Sequence, residues 1–202
     1  MKKRRLISVL LIAMLILSSM TVSVSAASSS KGYVTVTVKQ DYAQVQQVLN
    51  NLNKERAKRG LRKVKLDTAL TNAAVRRAAE SAIYMDPKHT RPDGRKCRTV
   101  NKKANRENWA TGYPTGADVV TAWMNSPGHK KNNLAKDAKS VGIAFITSGE
   151  GSPYCVLILS RSKASKQLKK KTGTKAAIAC YVVSGLTALS QEVVFLYRHI
   201  CK

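Results

Sequence analysis

The sequence predicts an α+β fold in which helices pack on an antiparallel sheet. Three observations carry this. Apolar residues recur at helical spacing through residues 42–83, Val141, Ile143 and Phe145 alternate within Ser140 to Thr147, and a continuous apolar run spans Tyr154 to Leu159. Helices therefore come first, then an irregular stretch, a further helix and a hairpin. That order suits helices covering an antiparallel sheet. A length of 202 residues allows one domain with extensions, and 44% apolar with 23% charged residues is enough for a packed core.

Each element follows from local chemistry. Residues 27–40 begin as a Ser-rich linker and end in YVTVTV, which suits a short strand or an extended arm. From Asp41 the period becomes helical, with Tyr42, Val45, Val48, Leu49 and Leu52 on one face. Asn53 to Arg59 is polar, and Gly60 is a stop signal. Asp67 is placed to cap a second helix, whose Leu70, Ala73, Ala74, Ala78 and Ala82 form a small-residue face, and which ends before Pro87. Residues 86–114 read as irregular. Thr115 is placed to cap a third helix over 115–126, burying Val119, Val120, Trp123 and Met124 until Pro127-Gly128 breaks it. Ser148 to Pro153 is turn chemistry between the two final strands.

The first 26 residues read as a secretory signal peptide: a basic start at Lys2 to Arg5, an apolar run from Leu6 to Leu17, and small residues at Val24-Ser25-Ala26. The formal net charge is +25, and removing the leader still leaves an excess of 21 cations. Such a chain is attracted to polyanions. Residues 161–175 hold seven Lys or Arg and no acid, followed by an apolar 176–197, so residues 161–202 form a basic and then apolar tail. Gln191 and Glu192 argue for an amphipathic or unstructured tail rather than a membrane span. In an exported chain the four cysteines suggest disulfides, with one bridge in the domain (Cys97 and Cys155) and one in the tail (Cys180 and Cys201).

Several segments together resemble one family. They are LNKERAKRGL (52–61), HTRPDG (89–94), ENWATG (107–112) and AWMNSPGHKKNNL (122–134), followed by SVGIAF (140–145). In this order and spacing, behind a leader, they resemble the CAP superfamily of cysteine-rich secretory, antigen 5 and pathogenesis-related proteins, in its bacterial SCP-like branch. The likeness covers residues 41–160. It implies an α-β-α sandwich with a central antiparallel sheet.

The resemblance also implies a site, since family members place two His and two Glu around a central cavity and some bind a divalent metal there. The matching positions here are His89, Glu107 and His129. Imidazole nitrogens and carboxylate oxygens are ligands for zinc or a similar divalent ion, and three protein ligands leave a position open. The second family Glu is replaced by Ser126, a poor ligand, so the tetrad is incomplete. Arg106 stands where the family has Gly, beside Glu107, where a guanidinium would compete with a cation. Trp109 replaces an aliphatic residue and would narrow the cavity. Trp123, Trp109 and Tyr113 read as core aromatics. Ser126 and His129, three apart, are also the nearest thing to a nucleophile and base, with Asp93 or Glu107 as candidates to orient the His, but nothing in sequence shows that arrangement or an oxyanion hole.

The expected function is a secreted or cell-surface, non-enzymatic binding module with a His/Glu-lined cavity for an extracellular lipid or peptide. The alternatives are a metal-dependent hydrolase using the same cavity and an adhesion protein held by charge to an anionic envelope polymer or membrane surface. No segment resembles a nucleic-acid motif, and export argues against a genomic partner.

Overall fold

A computed structural model describes residues 31–83, 88–147, 152–168 and 174–184. The leader and Cys201 lie outside these residues. The elements are β1 (Lys31–Asp41), α1 (Tyr42–Ala57), β2 (Lys65–Leu66), α2 (Thr68–Ile83), a 3₁₀ turn (Cys97–Val100), β3 (Arg106–Thr111), α3 (Gly116–Asn125), α4 (Pro127–Asn133), β4 (Ser140–Thr147), β5 (Pro153–Ser160) and β6 (Thr174–Ser184).

The sheet runs β3-β5-β4-β1-β6, with antiparallel neighbours throughout. The short β2 lies parallel to β4, with Lys65 opposite Ser140. Where β1 and β2 leave a gap along β4, the side chain of Gln40 takes the place of a strand. It donates to the Ile143 carbonyl (3.1 Å) and accepts from the Phe145 N–H (3.0 Å).

Strands β4 and β5 are buried on both faces, so their side chains divide by alternation. Val141, Ile143, Phe145, Cys155, Leu157 and Leu159 meet α1 and α3 through Val45, Val48, Leu52, Val120 and Trp123. Ala144, Ile146, Tyr154, Val156 and Ile158 meet α2 through Leu70, Ala74 and Ala78. The architecture is three layers, α-β-α. Its small-residue face brings α2 very close to β4: a Cβ added at Gly142 would overlap the backbone of Leu70.

Caps set the helix starts. Asp41 Oδ1 accepts from Ala43 N–H, Asp67 Oδ1 accepts from Leu70 N–H, and Thr115 accepts from Asp118 N–H. Gly60, at φ +65°, ends the turn after α1. Arg56 departs from the polar face expected of residues 53–59. It is fully buried, and its guanidinium donates to the carbonyls of Arg62, Asn133 and Ala135 at 2.8–3.0 Å. One side chain thus ties the end of α1 to the segment after α4.

Three readings of the sequence are corrected, while residues 31–40, whose YVTVTV suits a short strand or an extended arm, form strand β1. Residues 174–184, read as amphipathic or unstructured tail, are β6, which pairs with β1 from Lys31↔Ser184 to Asp41↔Thr174. Both segments are rich in strand-forming residues, and each supplies the other's backbone partners. The stretch 86–114 contains β3, and α4 follows the break at Pro127. Cys97 and Cys155 are free thiols. Cys155 lies in the α1/α3 layer, whereas Cys97 sits beside Glu107 in the α2 layer, so the sheet separates them.

We expect Gly142→Ala to destabilise the domain by about 3 kcal/mol or more, because backbone rather than a flexible side chain must move. Gly128→Ala, with nothing within 4 Å of the added carbon, is expected to leave the melting temperature unchanged or higher. Thermal unfolding of the two variants checks the contrast.

Candidate functional site

The site is built on β3, the edge strand. Successive residues of a strand face opposite sides of the sheet, and β3 uses this to hold two histidines from different layers. Glu107 faces α2, where its Oε1 lies 2.9 Å from His89 Nδ1. Asn108 faces α4. Its Nδ2 donates to the His129 carbonyl (3.1 Å) and to Asn133 Oδ1 (3.0 Å). Asn132 Nδ2 returns bonds to Asn108 Oδ1 (2.8 Å) and the Glu107 carbonyl (3.2 Å). The polar residues of the HKKNN segment therefore fasten α4 to β3.

His89 takes φ +56°, a left-handed conformation uncommon outside glycine. It is held there on both sides. Its carbonyl accepts from Cys97 N–H (3.0 Å), and its ring meets Glu107. Arg91, two residues on, is buried and binds Glu80 with Nη2 at 2.7 Å. The HTRPDG segment is thus pinned to α2 by its arginine while it presents its histidine.

His89, His129 and Ser126 line one cavity of about 410 Å³, with Trp109, Ala110, Tyr113, Ala122 and Trp123. A more open hollow sharing Tyr113, Ala122 and Ser126 continues along α3. Trp123 is buried, as expected, and its Nε1 donates to the Trp109 carbonyl (3.3 Å). Trp109, read as a core aromatic, is half-buried and lines the cavity. Tyr113 is corrected from core to surface: at 39% exposure it stands at the cavity mouth.

Glu107 is not part of the cavity wall. Arg77, from α2, donates to both of its oxygens, Nε to Oε2 at 2.8 Å and Nη2 to Oε1 at 3.2 Å. Arg77 also binds Glu80 (2.6 Å), which binds Arg91, so Glu107, Arg77, Glu80 and Arg91 form a continuous buried chain of charge. The cation beside Glu107 is therefore Arg77, not Arg106. Arg106 faces the other way and pairs with Asp137 at 3.0 Å. Sequence reading missed Arg77 and Glu80. The available signal was Arg77 three residues after Ala74, a charge on the apolar face of α2.

This decides the donor set. Burial alone would raise the Glu107 carboxyl, but hydrogen bonds from His89 and Arg77 and the Arg77 charge outweigh it and hold the carboxyl below the ordinary range. A carboxylate so neutralised is a positioning group for His89, not a free ligand, and the trio His89, Glu107 and His129 does not fit a cation as three ligands. A ring nitrogen of His89, Cys97 Sγ and a Glu107 oxygen also lie within 4.8 Å of one another. Burial, then the Glu107 charge, pushes the Cys97 thiol up to about 11, so it holds its proton, and Arg77 already occupies the carboxylate. The two imidazoles remain. Burial and the nearness of His89 lower the His129 pKa, which keeps its lone pair free at neutral pH.

Removing one partner of a buried pair strands the other. Glu107→Gln is therefore expected to cost about 3–5 kcal/mol. In the wild type, the depressed Glu107 pKa means its stabilisation is complete above the ordinary carboxylate range, near about 4.3, and is lost as pH falls through the lowered value. Melting temperature against pH should fall on the acid side, and Glu107→Gln should lack that part of the decline.

Known proteins share this architecture. The chain is 32% identical to the uncharacterized protein YkwD of Bacillus subtilis over 136 residues, which is 64% of this chain and 53% of the relative, so it spans about half that relative's length. It superposes on an outer surface protein of Borrelia burgdorferi with a TM-score of 0.53 and 23% identity, covering 62% of this chain and 98% of that one. It superposes on an extracellular SCP-domain protein of Bacillus anthracis with a TM-score of 0.51 and 18% identity, covering 58% and 41%. These two likenesses concern the fold. Residues 49–159, more than half of the chain, match the profile of the cysteine-rich secretory protein family, and the chain belongs to that family, CAP.

Proposed function

We propose that this is an extracellular binding module that takes a small, largely apolar ligand in the cavity beside β3. One observation carries the reading. The cavity is walled by Trp109, Tyr113, Trp123 and alanines, and its polar side-chain groups are two imidazoles, the hydroxyls of Ser126 and Tyr113 and the indole N–H of Trp109, while the carboxylate beside His89 is consumed by Arg77. Apolar walls with a few convergent polar groups are what small-molecule sites offer. A volume of about 410 Å³ lies within the usual range of such sites. The hollow along α3 gives room for an extended chain, which suits a lipid or peptide. The basic leader, its apolar run and the extracellular or outer-surface character of the structural neighbours support export.

A non-enzymatic role is the simpler chemistry. General acid–base work by paired carboxylates needs a second acid, and Ser126 stands at the position where the family has it. A second reading is favoured by one specific observation, the shared cavity of His89 and neutral His129. These two residues would hold a divalent ion such as zinc, with Glu107 fixing the His89 ring as a carboxylate behind a ligating histidine does. Such an ion, when bound, would supply Lewis-acid activation of a water or carbonyl.

Binding of the uncharged fluorophore N-phenyl-1-naphthylamine to the purified chain tests the first reading. Saturable enhancement that is abolished by Ala122→Trp, which fills the cavity, is expected; enhancement indifferent to that substitution would sink it. Zinc calorimetry tests the second. It requires saturable binding that disappears in both His89→Ala and His129→Ala, and a folded wild type that takes up no zinc rules it out.

A further inference from the structure

A second concavity lies away from the histidines, where β2, the start of β4 and the segment after β5 meet. It measures about 570 Å³ and is lined by Arg62, Lys63, Lys65, Lys139 and Lys163, with Ala138, Ala164 and Gln167 between them. Five cations and no acid face one hollow. None of the five has an ion-pair partner among the described residues, whereas Lys58, Arg59, Arg95, Arg106 and Arg161 all do.

The nearby acids are already engaged. Asp137 is held by Arg106 and Arg161, and Asp67 accepts from Leu70 N–H and from both the N–H and hydroxyl of Ser165. The walls are fixed backbone rather than loose lysines. Lys65 and Ser140 are paired in the sheet, Lys139 N–H donates to the Ser160 carbonyl, Ser140 Oγ donates to the Ser162 carbonyl, and Asp67 bridges to Gln167. Like charges are thus held together by the fold, at an electrostatic cost that an anion would relieve.

We propose that this concavity binds a linear polyanion with closely spaced, phosphate-type charges. In a hollow of about 570 Å³ lined by five cations, a chain of repeating charges engages several of them at once and releases its counterions, which a single monovalent ion does not. The lining contains no aromatic side chain on which a base would stack, which favours a phosphate polymer over single-stranded nucleic acid. The surface lies on the domain itself. Only Lys163, among the five cations, comes from the basic tail in which the sequence concentrates charge.

Fluorescence anisotropy with end-labelled inorganic polyphosphate and the full chain tests this. Affinity should fall about a hundredfold between about 50 and about 200 mM salt if all five cations engage. Lys65→Gln with Lys139→Gln, and separately Lys63→Gln with Lys163→Gln, should each weaken binding about tenfold, with unchanged melting temperatures. Lys54→Gln with Lys102→Gln, both exposed and outside the hollow, removes the same charge and should weaken it less than about twofold. Equal weakening by all three pairs would mean that net charge alone binds, and the proposal fails. It fails also if the wild type does not bind, or if oligodeoxythymidine of equal charge binds as tightly as polyphosphate.

Discussion

The ion pair between Glu107 and Arg77 is the constraint on which the site depends. An edge strand has backbone partners on one side only, so something else must fix it to the layer above. Here a carboxylate from β3 and a guanidinium from α2 meet at 2.8 Å with almost no solvent access. Two charges buried this way lose their hydration, and their attraction repays that loss only when the remaining donors and acceptors are matched. They are matched here. The third nitrogen of Arg77 reaches Glu80, and Glu80 accepts from Arg91 as well. The chain of charge runs from the sheet through the helix to the loop that carries His89, so strand, helix and loop hold one another.

Adjacent residues on β3 then divide the labour. Glu107 holds the histidine of the α2 side and Asn108 holds the helix that bears the other. The pleat of a strand places consecutive side chains on opposite faces, so the two histidines approach the same edge from opposite layers. Several polar segments of the chain act as positioning devices. Arg91 pins the loop behind His89, Asn132 and Asn133 pin α4, and Arg56 pins the turn beyond α4. Chemistry facing the cavity is confined to a few groups, and most of the polar residues around it serve to place them.

Where apolar periodicity is strong, the fold was legible from sequence. The first three helices and the final hairpin are strongly patterned, and their caps at Asp67 and Thr115 follow from residue type. Strand β3 was not legible, because its buried residues include Glu107 and Asn108, and polar residues satisfied by distant partners leave no hydrophobic alternation. Helix α4 contains no apolar residue beyond Pro127, since side-chain amides rather than apolar contacts dock it. Strands β1 and β6 lie 133 residues apart at Asp41 and Thr174, and pairing across such a separation has no local signature. Resemblance named His89, His129 and Ser126, which line one cavity, but it could not show that Glu107 belongs to Arg77, thirty positions away in the chain.

The separation of Cys97 and Cys155 by the sheet has a practical side. Their sulfurs cannot reach each other without dismantling the core, so no covalent cross-link between them contributes to the fold. The packed layers and the buried charges carry that part of the structure alone. A reducing environment has no Cys97–Cys155 bond to break.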